Sequence, residues 1–396
     1  MGELASEWGT PLFVYDEDHL RARCREAVEA WPDGAAYATK AFLCKAMAAL
    51  AVDEGMELDV STAGELHVAL AAGASGAKLV LHGNNKSDAE LEAALAARVG
   101  RIVVDSFDEI DRLQRLTSAG NRVRVLVRIT PGVEAHTHEF VTTGVEDTKF
   151  GFSLSSGAAT EAVTRLTGIA GIEVVGAHAH IGSQVFRVDS FERAVEVLAP
   201  FVIEHQLQEL CVGGGLGVPY VEGETAPTMA EWAAAVRHAC AQAGIADDVR
   251  ITAEPGRSIV AAAALTLYRV GTVKSLPGVR DFVAVDGGMS DNPRPVLYGS
   301  GYEAFLPERA LAPRPRIVNV VGKHCESGDF IVRDAGVPAD IAPGDLLATP
   351  VTGAYGHTMA SNYNKVPRPA VLFLRDGEAR EVVRRETLDD LLRLDS

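Results

Sequence analysis

Between residues 34 and 264, short apolar runs of β type alternate with segments of helical periodicity. The β-type runs cover 35–38, 56–60, 78–82, 101–105, 122–129, 172–180, 209–212 and 249–254. Between them, 88–97, 107–119, 191–205 and 229–243 repeat apolar residues at helical spacing. Several β-type runs are apolar at successive positions, the pattern of strands buried on both faces. This alternation predicts parallel strands joined by crossover helices. Eight such units in about 230 residues fit a closed (β/α)8 TIM barrel, with a doubly wound open sheet as the rival. Beyond 264 the texture changes. Runs at 265–275, 282–286, 316–321, 345–348, 370–373 and 381–384 are short, β-rich and separated by Pro, Gly and Asp, which predicts a second, mostly antiparallel β-domain. The opening stretch 11–15, Pro-Leu-Phe-Val-Tyr, is strand-like and is expected to join that C-terminal sheet, and 388–394 reads as a short amphipathic helix. The expected organisation is therefore an α/β barrel over 28–264 and a β-domain made of 1–27 and 265–396.

Composition narrows the function. Apolar residues are 47% and charged residues 23% of the 396, with a formal net charge of −17. That balance argues against nucleic acid or an anionic membrane as a general partner. An anionic ligand must then be held by a few local cations or by backbone amides. The longest apolar run, 259–265, is far too short for a bilayer span. The first eleven residues lack a basic region followed by an apolar stretch, so no secretory signal is expected. Five cysteines without CxxC spacing fit free thiols in a reducing cytoplasm, and neither a disulfide frame nor a zinc site is expected.

Barrels of this kind gather function at the C-terminal ends of their strands. Six of the eight expected ends carry unusual residues: Tyr37-Ala38-Thr39-Lys40-Ala41, Asp59-Val60-Ser61-Thr62, His82-Gly83-Asn84-Asn85-Lys86, His178-Ala179-His180-Ile181-Gly182-Ser183-Gln184, Gly213-Gly214-Gly215-Leu216-Gly217 and Glu254-Pro255-Gly256-Arg257. A lone lysine at a strand end is more often a solvated surface group. Lys40 in this company reads as an amine able to form a Schiff base. His178 and His180, two apart on one strand, share a side. In isolation they could be a zinc pair, but no third ligand is obviously spaced for one, and the Gly182-Ser183 that follows suits an anion. The glycine cluster departs from GxGxxG because Val218 fills the last position, and it is no Walker loop, so dinucleotide and P-loop readings fail. It offers instead close backbone approach and N–H groups for a phosphate. Gly256-Arg257, at the start of the next helix, offers more. Glu254, if buried, needs a partner, and a pyridinium nitrogen would be one. Lysine, phosphate cup, stacking histidine and carboxylate together describe a pyridoxal-phosphate site. The β-domain adds three turn-rich clusters, Gly287–Tyr298 with Arg294, His324-Cys325-Glu326-Ser327-Gly328-Asp329, and Gly353-Ala354-Tyr355-Gly356-His357.

With these motifs, the sequence resembles the diaminopimelate decarboxylases, of the alanine-racemase-like class of pyridoxal-phosphate enzymes. The stretch Glu134-Ala135-His136-Thr137-His138-Glu139 and Lys149-Phe150-Gly151 also looks like this family, and the likeness covers nearly the whole chain. The resemblance implies that Lys40 carries the cofactor, with Asp59 near it, His180 stacked on the ring and Glu254 at its nitrogen. It implies that Ser183, Gly213, Gly214, Gly215, Pro255, Gly256, Arg257 and Tyr355 line the cofactor and its phosphate. Arg257, Arg294, Tyr298, Glu326 and Tyr355 would bind substrate. Cys325 would come from the second chain of a homodimer with shared sites and act as the acid near Cα. The implied reaction is decarboxylation of meso-2,6-diaminopimelate to L-lysine and CO2. Alternatives are a paralogous decarboxylase acting on another amino acid or a carrier-bound aminoacyl group, a catalytically silent homologue, and a metal-dependent barrel hydrolase built on His178 and His180. Ala63 in place of a frequent second glycine, Cys211 where many relatives carry an acid or amide, and a short N-terminus depart from the family pattern without touching a proposed catalytic group.

Overall fold

The structure, a computed structural model, describes residues 1–117, 122–133 and 148–396. The family-like stretch at 134–139 lies outside the described residues. The chain divides into two compact units, one of residues 21–218 and 225–259, the other of 1–20, 219–224 and 260–396. In chain order the first strand, β1 (Leu12–Asp16), belongs to the second unit.

The first unit is a barrel of eight parallel strands: β2 (Ala36–Ala38), β3 (Glu57–Val60), β4 (Leu79–Leu81), β5 (Arg101–Val104), β6 (Val123–Thr130), β8 (Ile172–His178), β9 (Glu209–Cys211) and β10 (Arg250–Thr252). A two-residue strand, β7 (Phe152–Ser153), pairs with the end of β6. The ring closes where Ala35 bridges Ala253 and the Ala36 amide donates to the Ala253 carbonyl at 2.9 Å. Each of the eight apolar runs read from the sequence becomes a barrel strand. The sixth stops at His178, so His180 lies past the pleat and does not share its geometry with His178. Several crossover helices start on side-chain caps that satisfy one of their first amides. Ser87 and Thr228 form capping boxes with Glu90 and Glu231.

Side chains two apart on a strand face the same way, and this sorts the barrel interior into layers. At the strand starts, Arg101 pairs with Glu57 and with Glu209 at 3.3 Å, and Arg250 meets Glu209 at 2.8 Å. Above them Val80, Val103, Leu126, Val175 and Cys211 pack as one buried cluster. Toward the C-terminal ends of the strands lie Asp59, Asp105, Arg128, His178 and Glu254, all buried. Charge closes the N-terminal end, apolar packing fills the middle, and ionisable groups emerge at the C-terminal end.

The second unit is a sheet of β1, β11 (Ala264–Leu276), β12 (Arg280–Val285), β13 (Arg316–Val321), β14 (Phe330–Val337), β15 (Leu346–Pro350), β16 (Ala370–Arg375) and β17 (Glu378–Val383). The N-terminal strand enters this sheet as expected, antiparallel to β11 and parallel to β16. Leu12, Val14, Leu267, Ala348, Ala370 and Leu372 form its buried cluster. β14 is absent from the sequence reading. Its register shifts against β13, and Asp334 takes a positive φ of 52°, so apolar alternation breaks at Arg333-Asp334. The tail at 388–394 forms only a single 3-10 turn, Asp390–Leu392. Residues 219–224 pack with this unit because Tyr220 stacks edge-on with Tyr302 at 5.2 Å and lies beneath Arg294.

Asp291 is buried in this unit and accepts from the Gly288 amide at 2.8 Å and the Tyr268 hydroxyl at 2.7 Å. Burial pushes its carboxyl up to about 7 from 3.8. Between those values the unfolded chain sheds this proton while the folded one keeps it, so the contribution to stability falls as pH rises from about 4 to about 7. Asp291→Asn is expected to flatten the stability profile in that window, by up to ~4 kcal/mol for a three-unit shift. Urea unfolding at pH 4.5, 6 and 7.5 checks this. An unchanged slope would remove Asp291 as its source.

Candidate active site

The C-terminal mouth of the barrel is built by loops that hydrogen-bond to one another. Thr39, beside Lys40, donates its hydroxyl to the Asp59 carbonyl at 2.8 Å, tying the ends of β2 and β3. Lys40 itself sits in a 3-10 turn, Thr39–Ala41, with its side chain exposed to the mouth. The loops after β8 and β9 are zipped. Val185 bridges Leu216 in parallel, and the Gln184 side-chain amide both donates to and accepts from Val218 at 3.0 and 2.9 Å. Arg257, in the short helix Arg257–Val260, reaches across to the Ser183 hydroxyl at 2.9 Å.

The glycine cluster is required by space. Gly213 has a φ of 67°, and a Cβ there would stand 2.5 Å from the Ala179 carbonyl. At Gly215, with φ 115°, a Cβ would meet the Gly182 carbonyl at 2.2 Å. No side chain larger than hydrogen is compatible with these loops. The Gly214 amide donates to His180 Nδ1 at 3.1 Å, which fixes His180 as a neutral ring protonated at Nε2. Burial, then the positive charges of Lys40 and Arg128, holds its pKa well below 6.5.

Glu254 is the centre of a buried network that spacing along the chain could not reveal. His82 Nε2 donates to Glu254 Oε1 at 2.8 Å and His178 Nε2 to Glu254 Oε2 at 2.9 Å, with the two rings 4.9 Å apart and nearly perpendicular. Asp59 Oδ1 lies 3.7 Å from His82 Nε2, too far for a hydrogen bond, and is buried without a hydrogen-bond partner among the described residues. Burial alone would raise the Glu254 carboxyl, but the two imidazoles together hold it well below 4.5. Asp59 moves the other way, pushed up to about 6 by burial despite His82. His82, His178 and Glu254 are also the metal-capable trio among the described residues. Tetrahedral ligands at ~2.1 Å from one zinc stand ~3.4 Å apart, so the shorter contacts here are hydrogen bonds between two imidazoles and a carboxylate. The trio does not include His180, so among the described residues no metal-capable group is built on His178 and His180 together.

Arg128 and Asp105 complete the ring of strand ends. Arg128 Nε lies 3.6 Å from Asp105, and its guanidinium stacks 4.3 Å from the Phe150 ring centre. Asp105 also accepts from the Gly151 amide at 2.9 Å, and buried Lys86 pairs with Glu109 at 2.8 Å. The sequence reading assigns no role to His82 or Arg128. The available signal was position: His82 follows the apolar strand β4 directly, and Arg128 lies two residues beyond Leu126 of the buried middle cluster.

Within the β-unit, the loop carrying Cys325 and Glu326 is pinned at its root. His324 is buried, with Nε2 2.8 Å from the Ser290 hydroxyl and Nδ1 3.2 Å from Asn364. Asp329 accepts from the His324 and Met289 amides at 2.9 and 2.6 Å. Cys325 and Glu326 themselves are exposed, and Glu326 accepts from Tyr363 at 2.8 Å. Arg294 is buried, donates to the Tyr302 hydroxyl at 2.6 Å and covers the Tyr220 ring. Tyr298 follows on the same short helix, Arg294–Tyr298. Tyr355 has a φ of 58° in a loop held by the Tyr15 hydroxyl on the Gly353 carbonyl at 2.8 Å.

Comparison with known proteins gives the family. The family model for the pyridoxal-dependent decarboxylase, pyridoxal binding domain, matches residues 17–261. The diaminopimelate decarboxylase of Mycobacterium bovis is 49% identical, over 99% of this chain and 92% of that protein. The chain belongs to the diaminopimelate decarboxylase family. The Bacillus subtilis member is 45% identical, again over 99% of this chain and 92% of its own length. The crystal structure of the Helicobacter pylori enzyme complexed with L-lysine superposes with a TM-score of 0.90 at 32% identity, covering 100% of this chain and 98% of that one. The family's cofactor is pyridoxal 5'-phosphate, and the barrel mouth fits it. A loop cluster that admits only glycine leaves backbone exposed for a phosphate. An ionised carboxylate is fixed between two donors, and the Asp59 oxygen awaits a donor or cation. No helix among the described residues is long and apolar enough to cross a membrane.

Proposed function

We propose that this protein removes one carboxylate of meso-2,6-diaminopimelate to give L-lysine and CO2. The observation that carries the reading is the convergence, at one barrel mouth, of Lys40, Asp59, His180, Ser183, the 213–215 glycines, Glu254 and Arg257 in a chain 49% identical to a diaminopimelate decarboxylase. When bound, pyridoxal phosphate supplies an electron sink for the charge left at Cα as CO2 departs. Lys40 would hold the cofactor covalently and yield its place to the substrate amine. Glu254, kept ionised by His82 and His178, would hold a proton at the ring nitrogen. Neutral His180 would lie against the ring without adding a competing charge. Ser183, the amides of 213–215, Pro255-Gly256-Arg257 and Tyr355 would bind the phosphate. Arg257, Arg294, Tyr298, Glu326 and Tyr355 would read the substrate's far end, its carboxylate by arginine and its ammonium by Glu326. Cys325 of the partner subunit would return a proton to Cα. Five cysteines without CxxC spacing, none of them in a disulfide, support a reducing, cytoplasmic setting. The deciding assay incubates purified protein and cofactor with meso-diaminopimelate and measures CO2 and L-lysine. Equal turnover of lysine or ornithine would transfer the reading to a paralogous decarboxylase.

Two consequences follow for the β-unit residues. A buried charge-assisted bond is worth about 1.5–3 kcal/mol. Arg294→Ala is therefore expected to lower kcat/KM for meso-diaminopimelate about ten- to a hundred-fold, at ~1.4 kcal/mol per tenfold. The cofactor's visible spectrum should stay normal. Loss of the spectrum would show that Arg294 supports the cofactor instead. For the shared site, Lys40→Ala and Cys325→Ala chains, each inactive alone, are expected to regain activity when mixed, because a mixed dimer carries one intact site. No recovery despite demonstrated subunit exchange would place both residues in one chain's site.

A further inference from the structure

Two buried carboxylates, Asp59 and Glu254, approach the same nitrogen of one imidazole. His82 Nε2 is 2.8 Å from Glu254 and 3.7 Å from Asp59. Like charges so placed repel unless a cation lies between them. His178 is poorly placed to be that cation. Its Nε2 donates to Glu254, and its Nδ1 is buried without a hydrogen-bond partner among the described residues. A neutral ring leaves a bare lone pair there, whereas a charged ring would strand a buried N–H. Burial accordingly lowers the His178 pKa to about 4.

We propose that His82 is a positioning residue of the cofactor site: it carries the positive charge that lets Asp59 and Glu254 coexist, and with His178 it locks the Glu254 carboxylate in place. The inference deepens the proposed function and rests on its assignment of Glu254 to the cofactor ring. The groups facing His82 are Asp59 from β3, Glu254 from the end of β10, His178 from β8 and Arg128 from β6. Burial and Arg128 disfavour its charge, but the two carboxylates prevail and raise its pKa above 6.5. The sign follows. A raised imidazole pKa means that the charge persists above the pH at which a free imidazole loses it and is lost as pH rises through the folded value. Glu254 then loses its partner, and cofactor binding should weaken on the alkaline side.

The test uses wild type, His82→Gln and His82→Phe, titrated with pyridoxal phosphate from pH 6 to 9 by visible absorbance. Gln keeps a donor for Glu254 without charge, and Phe keeps only shape. The expected result is about tenfold weaker binding for Gln and about a hundredfold for Phe at pH 7, the range of one to two lost buried polar contacts. The alkaline limb should be present in wild type and absent in both variants. Wild-type affinity and an unchanged limb in His82→Gln would overturn the proposal. Should the variants fold poorly, imidazole 15N NMR of the wild-type holoenzyme decides: His82 charged and His178 neutral at pH 6.5 is expected, and a neutral His82 overturns it. Substrate turnover in the same preparation reports separately on the functional reading.

Discussion

Lys40→Ala is expected to abolish decarboxylation, by at least about 10^3-fold in kcat, or ~4 kcal/mol at 1.36 kcal/mol per tenfold. It should also remove the visible absorbance of the lysine-bound cofactor. Lys40 follows β2 directly, and its turn is fixed by the Thr39 contact to the Asp59 carbonyl. A covalent anchor has no substitute nearby. The buried lysine of the mouth, Lys86, spends its ammonium on Glu109 and on the Gly83 and Val103 carbonyls, each at 2.7–2.8 Å. Borohydride reduction followed by peptide mapping checks the assignment. A reduced cofactor found on any lysine other than Lys40 would sink it.

Glu254→Gln should be the second most damaging change. Gln matches the shape and can still accept from one histidine. It cannot hold a proton at the ring nitrogen through charge, nor balance His82. Turnover is expected to fall about 10^2- to 10^3-fold, ~3–4 kcal/mol, with the cofactor still bound. The same substitution bears on acid stability. A carboxyl held well below 4.5 contributes stability above that value and loses it as pH falls through the folded pKa. The variant should therefore lose part of the acid limb of the wild-type unfolding profile. Calorimetry from pH 3 to 7, alongside kcat, checks both effects. Normal turnover with a normal spectrum would remove Glu254 from the chemistry.

The loop holding Cys325 shows why sequence motifs and their supports differ in visibility. His-Cys-Glu-Ser-Gly-Asp is legible as a motif because its residues are adjacent. Its anchors, Ser290 and Asn364, lie 34 and 40 residues away and become partners of His324 only in the folded β-unit.

Along the barrel, periodicity alone determined the eight strands, because a strand buried on both faces must be apolar at successive positions and a crossover helix must follow it. The strand-end rule then placed Lys40, Asp59, His180, the glycines and Glu254 at one mouth. The N-terminal strand's membership in the C-terminal sheet was expected from a strand-like apolar run that precedes the first barrel unit. Tertiary structure alone decided what those residues do to each other. His82 and His178 are 172 and 76 residues from Glu254. Whether a buried carboxylate is ionised depends on which donors reach it, not on its neighbours in sequence. The break in β14 was likewise hidden, because a bulge and a left-handed aspartate erase the alternation by which a strand is read. Local patterning specifies elements and the face they present; charge state and hydrogen-bond partnership are set by distances that only folding creates.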